Sequence, residues 1–285
     1  MNDRFVTDQG AITGDGAPQP PLEADMVRLF AARSVSEAWL LHTRRMAAHG
    51  FDRILYSLAR MPGDVGVLED TLILSNHPRV FLDRFLRSGW WRKAVFLAHA
   101  ERTGAVVMPW RLNPALSLTP EQKRMLAFRE RHGIVAGYTI SFRHIDRDGR
   151  AGTGLCARPG LDQDAVDAIW AEHGMALLAW NTAFHLRVST LPLELPGRTL
   201  TDRQREVLRW VSDGKTVQDI AVLMRLRPAT VEKHLRLARA ALGVQTTAQA
   251  VLKAALLNQT FRVPGTPLPE PTDPPAPPPV PASDA

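Results

Sequence analysis

Lys233, Arg236 and Arg239 recur at intervals of three, so a helix carrying them presents three cations along one side. Val231, Leu235, Ala238 and Leu242 fall on its other side at helical intervals and form an apolar stripe. Pro228 can open that helix, because its missing N–H would be unpaired in a first turn anyway. From Pro228 to Leu242 the helix would be about 22 Å long. That size suits the major groove of duplex DNA, where Arg and Lys reach guanine O6 and N7 while neighbouring basic groups hold phosphates.

Such a helix needs others to aim it. Thr201-x-x-Gln204, Thr216-x-x-Asp219 and Thr246-x-x-Gln249 each put a hydroxyl where the amides of a first turn need an acceptor, with a polar side chain three residues on. The stretch from Thr201 to Leu257 therefore reads as four short helices. Charge gathers on the same segment: residues 198–262 hold twelve Lys/Arg against five Asp/Glu, a net of +7 in a chain that totals +6. The remainder sums to −1, so the basic charge marks one unit with a polyanion as partner.

In order and spacing, LTDRQREVL, DIAVLM, ATVEKHL and ALGV resemble the LuxR-type helix-turn-helix of bacterial transcription regulators over nearly all of 198–260. The resemblance implies that Glu232, Lys233 and Arg236 read bases, with Thr230 and the start of the recognition helix near phosphates. One departure is Arg227, where that family usually has a serine cap. Losing the cap costs around 1 kcal/mol locally, while a cation beside the duplex adds phosphate affinity. Arg227 and Lys215 are accordingly expected to contact phosphates.

A chain of 285 residues can hold two domains with separate cores. No apolar run approaches the ~18–20 residues that cross a bilayer, and MNDRFVTDQG lacks the basic-then-apolar layout of a signal peptide. The expected location is cytoplasmic, with no membrane partner. A single cysteine, Cys156, excludes an intrachain disulfide and a thiolate zinc cluster, and the nine histidines show no ligand spacing, so neither metal nor cofactor is expected. There is no GxxxxGK[ST] or GxSxG; Gly149, Gly152 and Gly154 lie in a hairpin, and no Ser/His/Asp grouping stands out, which argues against an enzyme.

The front of the chain alternates helix and strand. Residues 1–21 and the proline-rich 263–285 have little to bury and read as a disordered head and tail. Helices are expected over 22–32, with Met26, Leu29 and Phe30 on one side, and from the Ser34-x-x-Glu37 box to His49. Strands are expected over 51–60, with Ile54, Tyr56 and Leu58 on one face, and over 71–74. Pro78 starts a helix with Phe81, Leu82, Phe85 and Leu86 on its apolar side, and Thr119 opens another. Ile134–Ile145 and Gly152–Ala157 read as a hairpin turning at 146–149, followed by a long helix over 162–188. The segment 100–119 shows no periodicity. The fold expected for 22–190 is an α+β layered domain, helices flanking a small antiparallel sheet, joined by a linker at 191–197 to an all-α four-helix unit at 198–262. Tyr56, Phe81, Phe85, Trp110 and Tyr138 lie in or beside that sheet and could line a cavity for an apolar small molecule.

GFDRILYSLAR, HPRVFLDRFLRSGWW, VMPWR and RHGIVAGYTISF make this front domain similar to the autoinducer-binding domain of quorum-sensing LuxR regulators. In acyl-homoserine-lactone binders a Tyr hydroxyl bonds the amide-side carbonyl and an Asp carboxylate accepts from the amide N–H. The corresponding positions here hold Phe85 and Ala94. Each deleted partner costs ~1–3 kcal/mol in a dry pocket. The ligand is then an apolar molecule other than a standard acyl-homoserine lactone, or the protein is a ligand-independent regulator. A homodimer on double-stranded operator DNA is expected, with Ala250, Val251, Ala254 and Leu257 of the last helix contributing to its interface. A response-regulator front is disfavoured, since Glu69-Asp70 precedes its apolar run instead of following it.

Overall fold

The computed structural model describes residues 20–59, 71–90, 104–111, 118–142, 150–193 and 199–259. Their elements run α1 (Leu22–Ala31), α2 (Val35–Ala48), β1 (Arg53–Ala59), β2 (Thr71–Ser75), α3 (Arg79–Arg87), β3 (Val107–Pro109), α4 (Pro120–Arg131), β4 (Gly137–Ser141), β5 (Arg150–Cys156) and α5 (Gln163–Thr190). Four more helices follow: α6 (Asp202–Ser212), α7 (Val217–Met224), α8 (Pro228–Leu242) and α9 (Thr247–Leu256). The head 1–19, the turn at 146–149, Ala94 and the tail from 260 lie outside the described residues.

The five strands form an antiparallel sheet in the order β2-β1-β5-β4-β3. Strand register sets which residues share a face. One face carries the rows Leu72–Leu58–Ala151, Leu74–Tyr56–Thr153–Ile140–Val107 and Ile54–Leu155–Tyr138. Most of these side chains are bulky, and they pack against α1, α2 and α5 with Trp39, Trp180 and Phe184 in the main core. The opposite face carries Ile73–Ser57–Gly152–Ser141, Ser75–Leu55–Gly154–Thr139–Met108 and Arg53–Cys156–Gly137. Helices α3 and α4 cover that side through Phe81, Leu82, Phe85, Leu86 and Met125.

Local signals explain most helix starts. Ser34 accepts from Glu37 N–H, Thr119 and Gln122 form a reciprocal capping box, and Asp162 accepts from Ala165 N–H. Strand β3 is a correction to the aperiodic reading of 100–119. Three residues ending in Pro109 carry no alternation, and β3 exists because it pairs with β4.

The junction between the two halves is hydrogen-bonded. Leu193 N–H donates to Leu257 O at 2.9 Å, and Gln259 bridges by donating to Leu193 O at 2.8 Å and accepting from Leu200 N–H at 3.0 Å. Asn258, in the left-handed region at φ 52°, donates to Ser189 O and Leu191 O at 2.7 and 2.9 Å.

Candidate nucleic-acid interface and ligand cavity

Helix α8 is placed by its neighbours on both sides. Thr201, Thr216 and Thr246 each form the capping box read from the sequence, starting α6, α7 and α9. Helix α8 begins at Pro228 behind Arg227, whose side chain makes no cap bond, and ends at Gly243 in the left-handed conformation. Val231, Leu235, Ala238 and Leu242 are buried against the other helices, as the stripe requires. Arg225, at φ 54°, turns the chain between α7 and α8.

On the outer side Glu232, Lys233 and Arg236 are exposed, with Arg227 and Lys215 exposed nearby in sequence and Thr230 half-buried. Among the described residues, Lys215, Arg225, Arg227, Lys233 and Arg236 have no ion pair or hydrogen bond from their side chains. Helix α6 differs. Its Arg203 pairs with Glu206 at 2.8 Å and its Arg205 with Asp202 at 2.5 Å. Arg239 also differs: its Nη1 donates to Thr247 Oγ1 at 2.9 Å, tying α8 to α9 at a half-buried position. Arg239 thus stands apart from the other cations of α8.

In the front half the five aromatics singled out from the sequence divide between the sheet faces. Tyr56 is fully buried on the α5 side, its hydroxyl 2.9 Å from His185 Nδ1 and its ring against Phe184. Tyr138 is on that side too, stacked on Trp170 at 4.2 Å and donating to Asp167 at 2.8 Å. Burial, then the Asp167 hydrogen bond, pushes its phenol above the ordinary value. Asp167 also accepts from Arg111 and Gln163, and Gln163 holds both backbone groups of Gly137. These groups brace the sheet against α5. Sequence could assign Tyr56 to a strand face, but not which helices that face would meet.

Phe81, Phe85 and Trp110 are on the α3/α4 side. Phe81 stacks on Phe85 and Phe128, and Trp90 and His132 pack on Phe128. Sequence reading missed Phe128 and His132, although Met125 and Phe128 recur at helical spacing in α4. Trp110 lies over Gly137 and Gly154 and donates from Nε1 to Thr139 Oγ1 at 2.8 Å, with the Arg129 guanidinium 3.9 Å from its ring centroid. A Cβ on Gly137 would come within 2.8 Å of that ring. Beyond Trp110 the floor is Ser57, Gly152 and Ser141, which offer little bulk and two hydroxyls. Among the described residues neither hydroxyl is hydrogen-bonded. An apolar ligand with a few polar atoms suits such a floor.

Comparison with known proteins supplies the frame for both sites. A model of the autoinducer binding domain matches residues 34–188, and one of bacterial regulatory proteins, luxR family, matches 198–254. The HTH-type quorum sensing-dependent transcriptional regulator RpaR of Rhodopseudomonas palustris is 26% identical over 206 residues, 71% of this chain and 81% of that protein. The transcriptional repressor ThaA of Burkholderia thailandensis is 31% identical over 134 residues, 44% of this chain and 53% of that protein. Among solved structures, SdiA in complex with octanoyl-rac-glycerol covers 84% of this chain and 97% of its own at 15% identity, with a TM-score of 0.49.

Proposed function

Because the chain belongs to the LuxR family of bacterial transcription regulators, with an autoinducer-binding domain ahead of its helix-turn-helix, we propose that α8 enters the major groove of an operator and that the front domain answers to a small apolar molecule. The observation that carries the DNA side is the contrast in ion pairing: among the described residues Arg227, Lys233 and Arg236 make no ion pair, while Arg203 and Arg205 of α6 do. Glu232, Lys233 and Arg236 take the base edges, and Lys215, Arg227 and Thr230 take phosphates. The uncapped start of α8 leaves the Ala229 amide to help them, since Pro228 has no N–H and Thr230 N–H donates to Arg227 O.

The ligand side rests on Ser57, Gly152 and Ser141, on the sheet face that α3 and α4 cover. Phe85 brings no hydrogen-bonding group to this roof, so a standard acyl-homoserine lactone would bury an unmatched polar atom at a cost of ~1–3 kcal/mol. A less polar molecule avoids that cost. The quorum sensing-dependent character of the relative from Rhodopseudomonas palustris supports a diffusible signal.

A homodimer would set two recognition helices on a two-fold operator. Ala250, Ala254 and Leu257 are buried against α6 and α8 of their own chain, which leaves the half-buried Val251 and the exposed Leu252 of α9 to meet a partner. In the front half Val27 and Phe30 of α1 and Leu186 of α5 are also exposed. Phe30→Glu should lower the sedimentation coefficient towards that of a monomer.

The deciding experiment is mass spectrometry of small molecules extracted from the purified protein, beside its melting temperature with a panel of acyl-homoserine lactones. A co-purified apolar molecule without lactone stabilisation is expected. A shift of several degrees with a standard lactone would overturn the ligand class. No molecule and no shift would leave a ligand-independent regulator.

A further inference from the structure

On the outer surface of the front half, Arg84 of α3, Trp90, and Arg124, Ala127, Glu130 and Arg131 of α4 line a groove of about 460 Å³. Arg124, Ala127 and Arg131 fall at intervals of three and four, so they form one stripe along α4 with a gap at the alanine. Across it stands Arg84, turned outward because Phe81, Leu82, Phe85 and Leu86 hold the buried side of α3. The cluster carries three guanidiniums and one carboxylate. Among the described residues none of these four groups has an ion pair or hydrogen bond. Trp90, nearly buried, supplies an aromatic wall at the base and packs on Phe128.

We propose that this groove binds a small organic anion with a flat apolar body, for which an aromatic carboxylate is the simplest chemistry. Two guanidiniums can each take a carboxylate through a planar fork, and the Trp90 ring offers a surface on which a flat body lies. The unbalanced charge of +2 selects an acid over a neutral isostere, and Glu130 on the rim works against it. Trp90 and Phe128 belong to the aromatic cluster that roofs the sheet floor, so an occupant would brace α3 and α4 from outside. The site is separate from that floor and does not depend on what the floor binds.

Calorimetric titration of the full chain with naphthalene-2-carboxylate and with 2-naphthamide tests this assignment. The acid should bind at least about tenfold more tightly than the amide. An Arg84→Ala/Arg124→Ala double variant with unchanged melting temperature should lose about tenfold or more for the acid, and Glu130→Gln should gain about two- to fivefold. Ser141→Ala, which removes one hydroxyl of the inner floor, should leave the acid's affinity unchanged. Equal binding of acid and amide, full affinity in the double variant, or loss of acid binding in Ser141→Ala would each overturn the proposal. So would the absence of heat at millimolar acid.

Discussion

Lowering the pH from 7 to 5 should destabilise the front half through two buried histidines. His42 is fully enclosed and stacked on Phe184 with ring centroids 4.0 Å apart, and neither ring nitrogen has a partner among the described residues. Burial pushes its pKa down to about 3. His77 is also taken to about 3, by burial first and then by the charges of Arg53 and Arg129. In the unfolded chain both return to about 6.5. Between those values the unfolded state binds protons that the folded state excludes, so this contribution is fully present above about pH 6.5 and is lost as pH falls. At pH 5 each histidine costs about 2 kcal/mol and the pair about 4 kcal/mol, a large share of a typical stability of about 5–15 kcal/mol. Urea unfolding at both pH values, followed by tryptophan fluorescence, measures the loss directly. His42→Leu keeps similar volume and removes two unpaired nitrogens, so it should retain about half of the acid sensitivity. An identical pH slope in wild type and His42→Leu would refute this account of the core.

Arg236→Ala should weaken operator binding by about 1–3 kcal/mol and relax base preference. Arg239→Ala loses the bond to Thr247 and should lower the melting temperature while leaving base preference intact; selection from a randomised operator library separates the two. Lys215→Ala should weaken all duplexes alike and reduce the slope of log affinity against log salt by about one. Gly137→Ala should fail to accumulate as folded protein, since its Cβ would lie 2.1 Å from Leu155 O; a soluble variant with normal melting would contradict that register. Ser141→Ala removes one of the two floor hydroxyls and adds no bulk, so it should fold yet reduce any melting shift that a floor-bound ligand gives.

The helix-turn-helix was legible because its signals are local. Thr201, Thr216 and Thr246 announce helix starts within four residues, and the Val231–Leu242 stripe declares its buried face. Tyr56 shows where such reading stops. Its place on one face with Ile54 and Leu58 was readable, but separating it from Phe81 and Phe85 needed the strand order and the helix above each face. Arg239 shows the same limit, because its partner Thr247 becomes a neighbour only when α9 folds back. Ala250 and Ala254 form a clear small-residue stripe, and a stripe alone does not tell an internal helix contact from one between two copies. Strand β3 depends wholly on β4, so no pattern within residues 107–109 could reveal it.

The tie at Leu193, Asn258 and Gln259 has a mechanical consequence. A DNA-reading unit held by a single covalent connector could swivel about any axis. Here the residues that close the unit are fastened to the end of α5 and to the chain that leaves it, Asn258 to Ser189 and Leu191, and Leu257 and Gln259 to Leu193. A free swivel of the unit would have to break these bonds, so a displacement at the end of α5 is passed on to the end of α9.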